Sequence, residues 1–572
     1  MSSQQLRNLW IAILENDEKY LDEYPLIHLM KNQNEVSAAP RIFDVSIRII
    51  SILWSTKNTN VQILLCTLVQ IMVQSDRILQ LLQGKGCLEA VKKILQQSTD
   101  SQSLICSGKL LFLLLSTGPM INTFINIGGI EALDRIVDGQ IITGQTQEII
   151  EINRWNINLI MTLCLKIICE NSEQACGLVA SSSLLAKLVN ISRIALDKEE
   201  SRLQKDSKYN SDNKEQNIEQ EVIKEENPDE QIILPVRLEI VRSTLNILCS
   251  ISLYTNYRSL LITSGLLKLF HTTSSSSSQT LTQSSLLLKK NAIISITSLC
   301  EILSILLLRI SQSSDSLPAL THPECVAFIV AIADVYIPNI SQDDLSERIL
   351  LVLTFLAEDD NTAEKLSKCK FLPSLIKRIL TIILPQDEKQ RSKGNKDKFG
   401  QQSSIPNLGM KLFSLLATTP DRSLHLIDYE ISNLCGNILN VWNKQQIEGK
   451  DSSSESDINN VSYQIHADLL QRTVTLLCLL SIGTNPLSAQ YDKLRFALTE
   501  KNLIYFVSKL LEHNFDLKAN YNLQDLKANY NHQDLKANYN LQNLKAHYNL
   551  QDLKAHYNKR NKMKFHRLKY KR

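Results

Sequence analysis

Glycine and proline are scarce, at 16 and 13 residues in a chain of 572. Glycine stands at well under half its usual ~7% share, which leaves too few turn residues for an α/β barrel, a Rossmann sheet or a β-sandwich. No stretch keeps up the apolar-polar alternation of a strand. The twelve cysteines include no Cys-x-x-Cys pair, so neither zinc-knuckle nor thioredoxin-type chemistry is expected. Cys66, Cys106, Cys164, Cys169, Cys249, Cys300 and Cys478 sit inside apolar runs, where a free thiol acts as a small hydrophobe, and a reducing intracellular compartment is expected. His532, His547, His556 and His566 fall in a repetitive tail, and His28, His271, His322, His425, His466 and His513 are isolated from one another. There is no phosphate-binding glycine loop, dinucleotide fingerprint, nucleophile elbow or His-Glu-x-x-His. His425 and Asp428, three apart, are better read as an exposed pair than as an acid-base couple. No catalytic, cofactor-binding or metal-ligating residue is expected, and no cofactor, enzymatic activity or small-molecule substrate. The longest apolar stretches, such as Leu299 to Leu308, fall short of the ~18 residues that span a bilayer, so no transmembrane segment is expected. The opening MSSQQLRNLW lacks the basic-then-apolar pattern of a signal segment, so the triplets at Asn190, Asn339 and Asn460 are read as chance glycosylation matches.

What is present is leucine at helical spacing. Hydrophobic residues make up 44% of the chain and charged residues 21%, enough for a core and too apolar for global disorder. From Pro235 to Tyr254, Leu238, Val241, Leu245, Leu248 and the small Ser252 step along one helical face, with Pro235 placed in the first turn. Similar segments predict helices at 62–73, 104–116, 156–170, 291–310, 345–357, 407–417 and 469–482. The class is all-α.

Six further segments share one plan: an apolar helix end, a short polar or glycine break, and a second helix that begins apolar. They are LLQGKGCLEAVKKIL (81–95), FINIGGIEALDRIV (124–137), GLVASSSLLAKLVN (177–190), LLITSGLLKLF (260–270), KLSKCKFLPSLIKRIL (365–380) and FALTEKNLIYFVSKLL (496–511). The break lets one helix stop and the next turn back over it. Asn126 to Val137, NIGGIEALDRIV, resembles the armadillo junction in which a Gly-Gly-Ile step opens a helix of the repeat; five others match more loosely, with Gly84 and Gly86, Gly265, or Ser182, Lys370 and Lys501 at the break. Over roughly Val61 to Leu511 the chain is therefore similar to the armadillo/HEAT-type α-solenoid superfamily.

Spacing tests the resemblance independently. Cys87 to Ile130 is 43 positions and Ile130 to Leu184 is 54. Leu184 to Leu266 falls from 82 to 47 without the charged insert 197–231. Leu266 to Phe371 and Phe371 to Leu503 each accommodate two units once low-complexity inserts at 272–285, 386–402 and 448–459 are removed. These values sit at or slightly above the ~40–47 residues of such repeats, giving about nine or ten. The expected fold is an armadillo-like right-handed α-solenoid: capping helices over 1–60, repeats over 61–511, a nonapeptide tandem repeat over 512–558 and a basic tail over 559–572. The inserts are expected to be disordered, 197–231 with twelve acidic and six basic residues most of all. Ser452, with Glu455 three residues on, has the pattern of a phosphorylation site but reads better as part of a solvated loop.

The nonapeptide DLKANYNLQ recurs from Asp516, Asp525, Asp534, Asn543 and Asp552, and its odd period places successive leucines on opposite faces of either a helix or a strand. It reads as an expanded tandem segment, with a tyrosine-bearing interaction array as the alternative. Lys559, Arg560, Lys562, Lys564, Arg567, Lys569, Lys571 and Arg572 give the last fourteen residues eight cations and no acid, while the whole chain carries only +3. They form a candidate polyanion site for nucleic acid or anionic lipid, set against a plain solubilising terminus. The insert, at −6, would attract this tail at low salt. Import adaptors of the armadillo type hold basic peptides with Trp-x-x-x-Asn arrays; here only Trp54 and Asn58 have that spacing, and Trp10, Trp155 and Trp442 do not. The expected function is a protein-binding scaffold or adaptor, cytoplasmic or alternatively nuclear. A nucleic-acid or nuclear-transport-associated protein using the tail is the second reading, and a chaperone or exchange factor for a folded client the third.

Overall fold

The computed structural model describes residues 3–27, 42–73, 86–137, 147–212, 228–269, 296–339, 341–384, 404–451 and 467–483, with Ile78, Leu79 and Leu82. All regular elements among them are helical. The chain divides into two compact units, Met1–Phe371 and Leu372–Arg572. The helices of the first unit are α1 Ser3–Glu15, α2 Glu18–Glu23, α3 Ile42–Ser55, α4 Thr59–Met72, α5 Cys87–Gln97, α6 Ser101–Leu115, α7 Pro119–Asn126, α8 Gly129–Ile136, α9 Gln147–Asn171, α10 Glu173–Ser181, α11 Leu184–Asp212, α12 Pro228–Ser252, α13 Thr255–Thr263, α14 Thr297–Ser311, α15 Leu317–Leu320, α16 Pro323–Tyr336, α17 Asp343–Leu356 and α18 Asp360–Leu366, with a 3-10 turn at Leu266–Leu269. The second holds α19 Phe371–Ile383, which begins at the boundary, α20 Ile405–Leu416, α21 Pro420–Asp428, α22 Ile431–Asp451 and α23 Ala467–Gly483.

Several helices begin where a short polar side chain caps them. The carboxamide oxygen of Asn58 accepts from the amides of Asn60 and Val61, Asp100 accepts from Ser103 at 2.7 Å, and Asp359 accepts from Thr362 at 2.9 Å. Proline opens α7, α16 and α21 at Pro119, Pro323 and Pro420, where its missing N–H costs nothing.

At six junctions among the described residues the chain turns through a residue with positive φ. At the NIGGI junction Gly128 takes φ +75°, and the neighbouring Gly129 lies so close to the buried Phe124 ring that a β-carbon there would sit 2.4 Å from it. The two glycines thus do separate jobs, reversing the chain and letting α8 close onto α7. The same reversal occurs at Asn16 and Glu430, with φ +60° and +63°. Neither is a glycine, so neither carried a signal in the sequence. Glu430 marks a junction between α21 and α22, with Ile431 sixty positions after Phe371; another lies at His322, before α16.

In the first unit six helices pack each on the next as the long rungs of a stack, α4 on α6, α6 on α9, α9 on α12, α12 on α14 and α14 on α17. This is the neighbour-to-neighbour order of an α-solenoid. Other helices back the stack, α3 against α5, α5 against α8, and α11 against the 3-10 turn. In the second unit α20, α21 and α22 all pack on α23, and Gly409 of α20 meets Ile379 of α19.

Several boundaries differ from expectation. Pro235 lies inside α12, which starts seven residues earlier at Pro228. The missing N–H removes one helical bond, which the packing of α12 against α9, α11 and α14 outweighs. The insert at 197–231 is helical at both ends, since α11 runs to Asp212 and α12 begins at Pro228; the segment is rich in Lys, Glu, Arg and Gln, which favour helix. Likewise α22 continues to Asp451 into the expected 448–459 insert. Residues 213–227, 272–285, 386–402, 452–459, the junction at 496–511, the nonapeptide repeat and the basic tail lie outside the described residues.

All twelve cysteines are free, and nine are buried. Burial pushes the Cys87 and Cys435 thiols up to about 12 and Cys66 well above its ordinary value, so these groups are uncharged packing atoms at neutral pH.

Replacing Gly129 by alanine forces Phe124 out of its place and is expected to cost ~1–3 kcal/mol, seen as a fall in thermal midpoint. Gly118→Ala, where φ is +70° but nothing lies within 4 Å, should cost only the backbone strain of ~1–2 kcal/mol.

Candidate functional site

A long helix squeezed between two others and backed by a third layer has one side left. The buried positions of the stack confirm this. On α6 the uncovered residues are Gln102, Cys106, Lys109 and Leu113, at steps of four, three and four. On α9 they include Asn156, Leu159, Leu163 and Ile167; on α14, Ile305 and Leu308; on α17, Arg348, Leu351 and Phe355. Each long helix therefore adds one stripe to a face that is partly aliphatic and half-exposed.

Polar side chains tie each rung to the next. Gln70 Nε2 on α4 donates to the Cys106 carbonyl at 2.8 Å, and the Ser103 hydroxyl donates to Gln62 Oε1 at 2.9 Å. Asn153 Nδ2 on α9 donates to Ser101 Oγ at 3.1 Å, and Cys164 Sγ donates to the Gly108 carbonyl at 3.7 Å. Arg309 Nη1 on α14 reaches the Cys249 carbonyl at 2.6 Å, and Arg348 Nη1 on α17 reaches Ser304 Oγ at 3.4 Å. Each such bond contributes ~1 kcal/mol net, against ~2 kcal/mol for a buried leucine, so apolar packing holds the stack and these bonds fix its register.

The buried Trp155 ring on α9 has two cations close to it. The Lys198 ammonium on α11 is 5.7 Å from the ring centroid and the Arg237 guanidinium on α12 is 5.3 Å from it. Glu151, one turn before Trp155, accepts from the indole N–H at 3.3 Å and pairs with both Lys198 and Arg237. Its carboxyl is held below the ordinary value by the hydrogen bond from Lys198, then by that from Trp155 and the charges of Lys198 and Arg237. The cluster clamps α9, α11 and α12.

The other tryptophans separate into two kinds. Trp10 and Trp442 are buried, whereas Trp54 on α3 is 49% exposed, with the Lys93 ammonium 5.0 Å from its ring centroid. Asn58, four residues on, spends its side chain capping α4, so the Trp-x-x-x-Asn spacing straddles two helices instead of lining one face. His322 precedes α16 and His425 lies with Asp428 on α21. Among the described residues no group of three or more His, Cys, Asp or Glu side chains is placed to hold a metal ion. No single helix among them is long and apolar enough to cross a membrane. The eight tail cations from Lys559 to Arg572 lie outside the described residues.

No protein-family model and no curated protein matches this chain. Ninety-eight solved chains are similar in structure. One, from work on a conserved phosphorylation switch that controls the interaction between cadherin and beta-catenin, shares 12% identity over 80% of this chain and 76% of its own, with a TM-score of 0.41. At that level of superposition the likeness says nothing about partners or activity.

The Glu151 clamp has a defined pH signature. A carboxyl held below its unfolded value stabilises the fold above that value, near pH 4.3, and loses the contribution as pH falls through the folded one. Glu151→Gln is expected to be less stable than the parent at pH 7 by up to about 1 kcal/mol, because the side chain is 41% exposed, with the gap closing below about pH 4 in thermal unfolding across pH.

Proposed function

We propose that this chain is a protein-interaction scaffold whose partner lies along the open face of the long-helix stack. The supporting observation is the row of uncovered stripes, each with half-exposed leucine, isoleucine or phenylalanine beside polar side chains, repeated from α6 to α17. Moderate contacts repeated along such a row add up without a deep pocket. The armadillo-type resemblance of the NIGGI junction supports the same reading.

Leu113→Gln, Leu163→Gln and Leu351→Gln combined should cut capture of the partner recovered by affinity purification at least tenfold. Mass spectrometry reads the capture, and the thermal midpoint should move only slightly. Undiminished capture by a folded variant contradicts the reading.

The charge of the basic tail favours a second, separable activity: contact with polyanions through Lys559, Arg560, Lys562, Lys564, Arg567, Lys569, Lys571 and Arg572. A form ending at Asn558 is expected to lose most binding to RNA or anionic vesicles at low salt, with the log affinity of the full chain falling linearly in log salt. Equal binding by both forms removes the tail from consideration.

A further inference from the structure

Where α12 ends, two arginines from different helices meet over its last turn. Arg258 on α13, only 9% exposed, donates its Nε to the Ser252 carbonyl at 2.9 Å. Arg309, in the last turn of α14, donates Nη1 to the Cys249 carbonyl at 2.6 Å. Carbonyls three residues apart stand one turn apart on the same side of a helix, so the two guanidiniums lie side by side.

Capping a helix C-terminus explains one bond from each arginine, and the end of α12 offers about half a negative charge between them. It does not account for the rest. A guanidinium carries five N–H donors, and each of these two spends only one on a protein atom among the described residues. Neither has a carboxylate within ion-pair distance among those residues. Burial and the neighbouring Arg309 cation hold the Arg258 guanidinium below its ordinary value, so the dominant charge beside it is another positive one. Leu253, 55% exposed, and the paired rings of Tyr254 and Tyr257, with centroids 6.0 Å apart, lie at the same corner.

From this geometry we infer that Arg258 and Arg309 form a binding site for a doubly charged oxyanion of the phosphate class at the corner of α12, α13 and α14. Two planar forks whose remaining N–H groups have no partner among the described residues match a tetrahedral dianion better than a single carboxylate, which would leave one positive charge uncompensated. The site does not depend on the scaffold reading. A phosphorylated segment of a protein and free phosphate share the chemistry it recognises.

The probe is inorganic phosphate, titrated into the full chain at constant ionic strength against sodium chloride, with thermal unfolding as the readout. A saturable rise in midpoint beyond the chloride control is expected. Arg309→Gln should weaken the apparent affinity at least tenfold. Arg309→Lys, which keeps the charge and the packed stem but not the fork, should weaken it several-fold and guards against a folding defect in the first variant. A phosphoserine peptide that binds more tightly than inorganic phosphate places the anion on a protein, and the reverse order places it on a small molecule; either supports the site. No rise beyond the chloride control, or an equal rise in folded Arg309→Gln, overturns it.

Discussion

Close contact between one long helix and the next sets the terms for the rest of the first unit. Gly108 shows how tight that contact is: a β-carbon there would sit 2.7 Å from Ile160 and Met161 of the next rung. Each helix of the stack commits two flanks to its neighbours and a third to the helices behind. That demand explains why buried positions on α9 and α12 outnumber a single amphipathic stripe. It also explains why polar residues such as Ser101, Ser107, Asn153 and Thr162 are buried there, bonded across a rung or back to their own helix.

The open face is a consequence of the same constraint. No element is added to make it; it is the side that remains when stacking is complete. Its chemistry is set by the side chains that the stack leaves partly uncovered, and so it mixes Lys109, Asn156 and Arg348 with Leu163 and Phe355. A surface built this way recognises length and pattern, which suits an extended macromolecular partner. The Trp155 clamp and the Arg258 and Arg309 pair stand at two places where charge has been brought together. The first contains its own carboxylate, and the second has none among the described residues.

Much of the helix content was legible because leucine spacing and caps agree: the segments read as 62–73, 104–116, 345–357 and 407–417 correspond to α4, α6, α17 and α20 with ends shifted by only a few residues. Junctions were legible where glycine, serine or a polar lysine run made the break, at Gly86, Gly128, Ser182, Gly265 and Lys370. They were missed at Glu430, because a glutamate in the left-handed region looks like any other, and at His322, where the helix opens on proline. Pro235 misled because local preference places proline first, whereas the packing around α12 tolerates it further in. The site itself was not legible. Helix phase decides which residues face outward, and a helix buried on three sides has no strong stripe to read. Glu151 and Arg237 meet across 86 positions of sequence, and Cys249 and Arg309 across 60.

Stacking of nearest neighbours is most directly tested by hydrogen exchange after one rung is forced apart. Gly108→Val drives α6 from α9. If stability is carried rung to rung, exchange accelerates in α6 and α9, less in α4 and α12, and remains unchanged in α17. Equal acceleration in every helix, or acceleration confined to α6 alone, would contradict it.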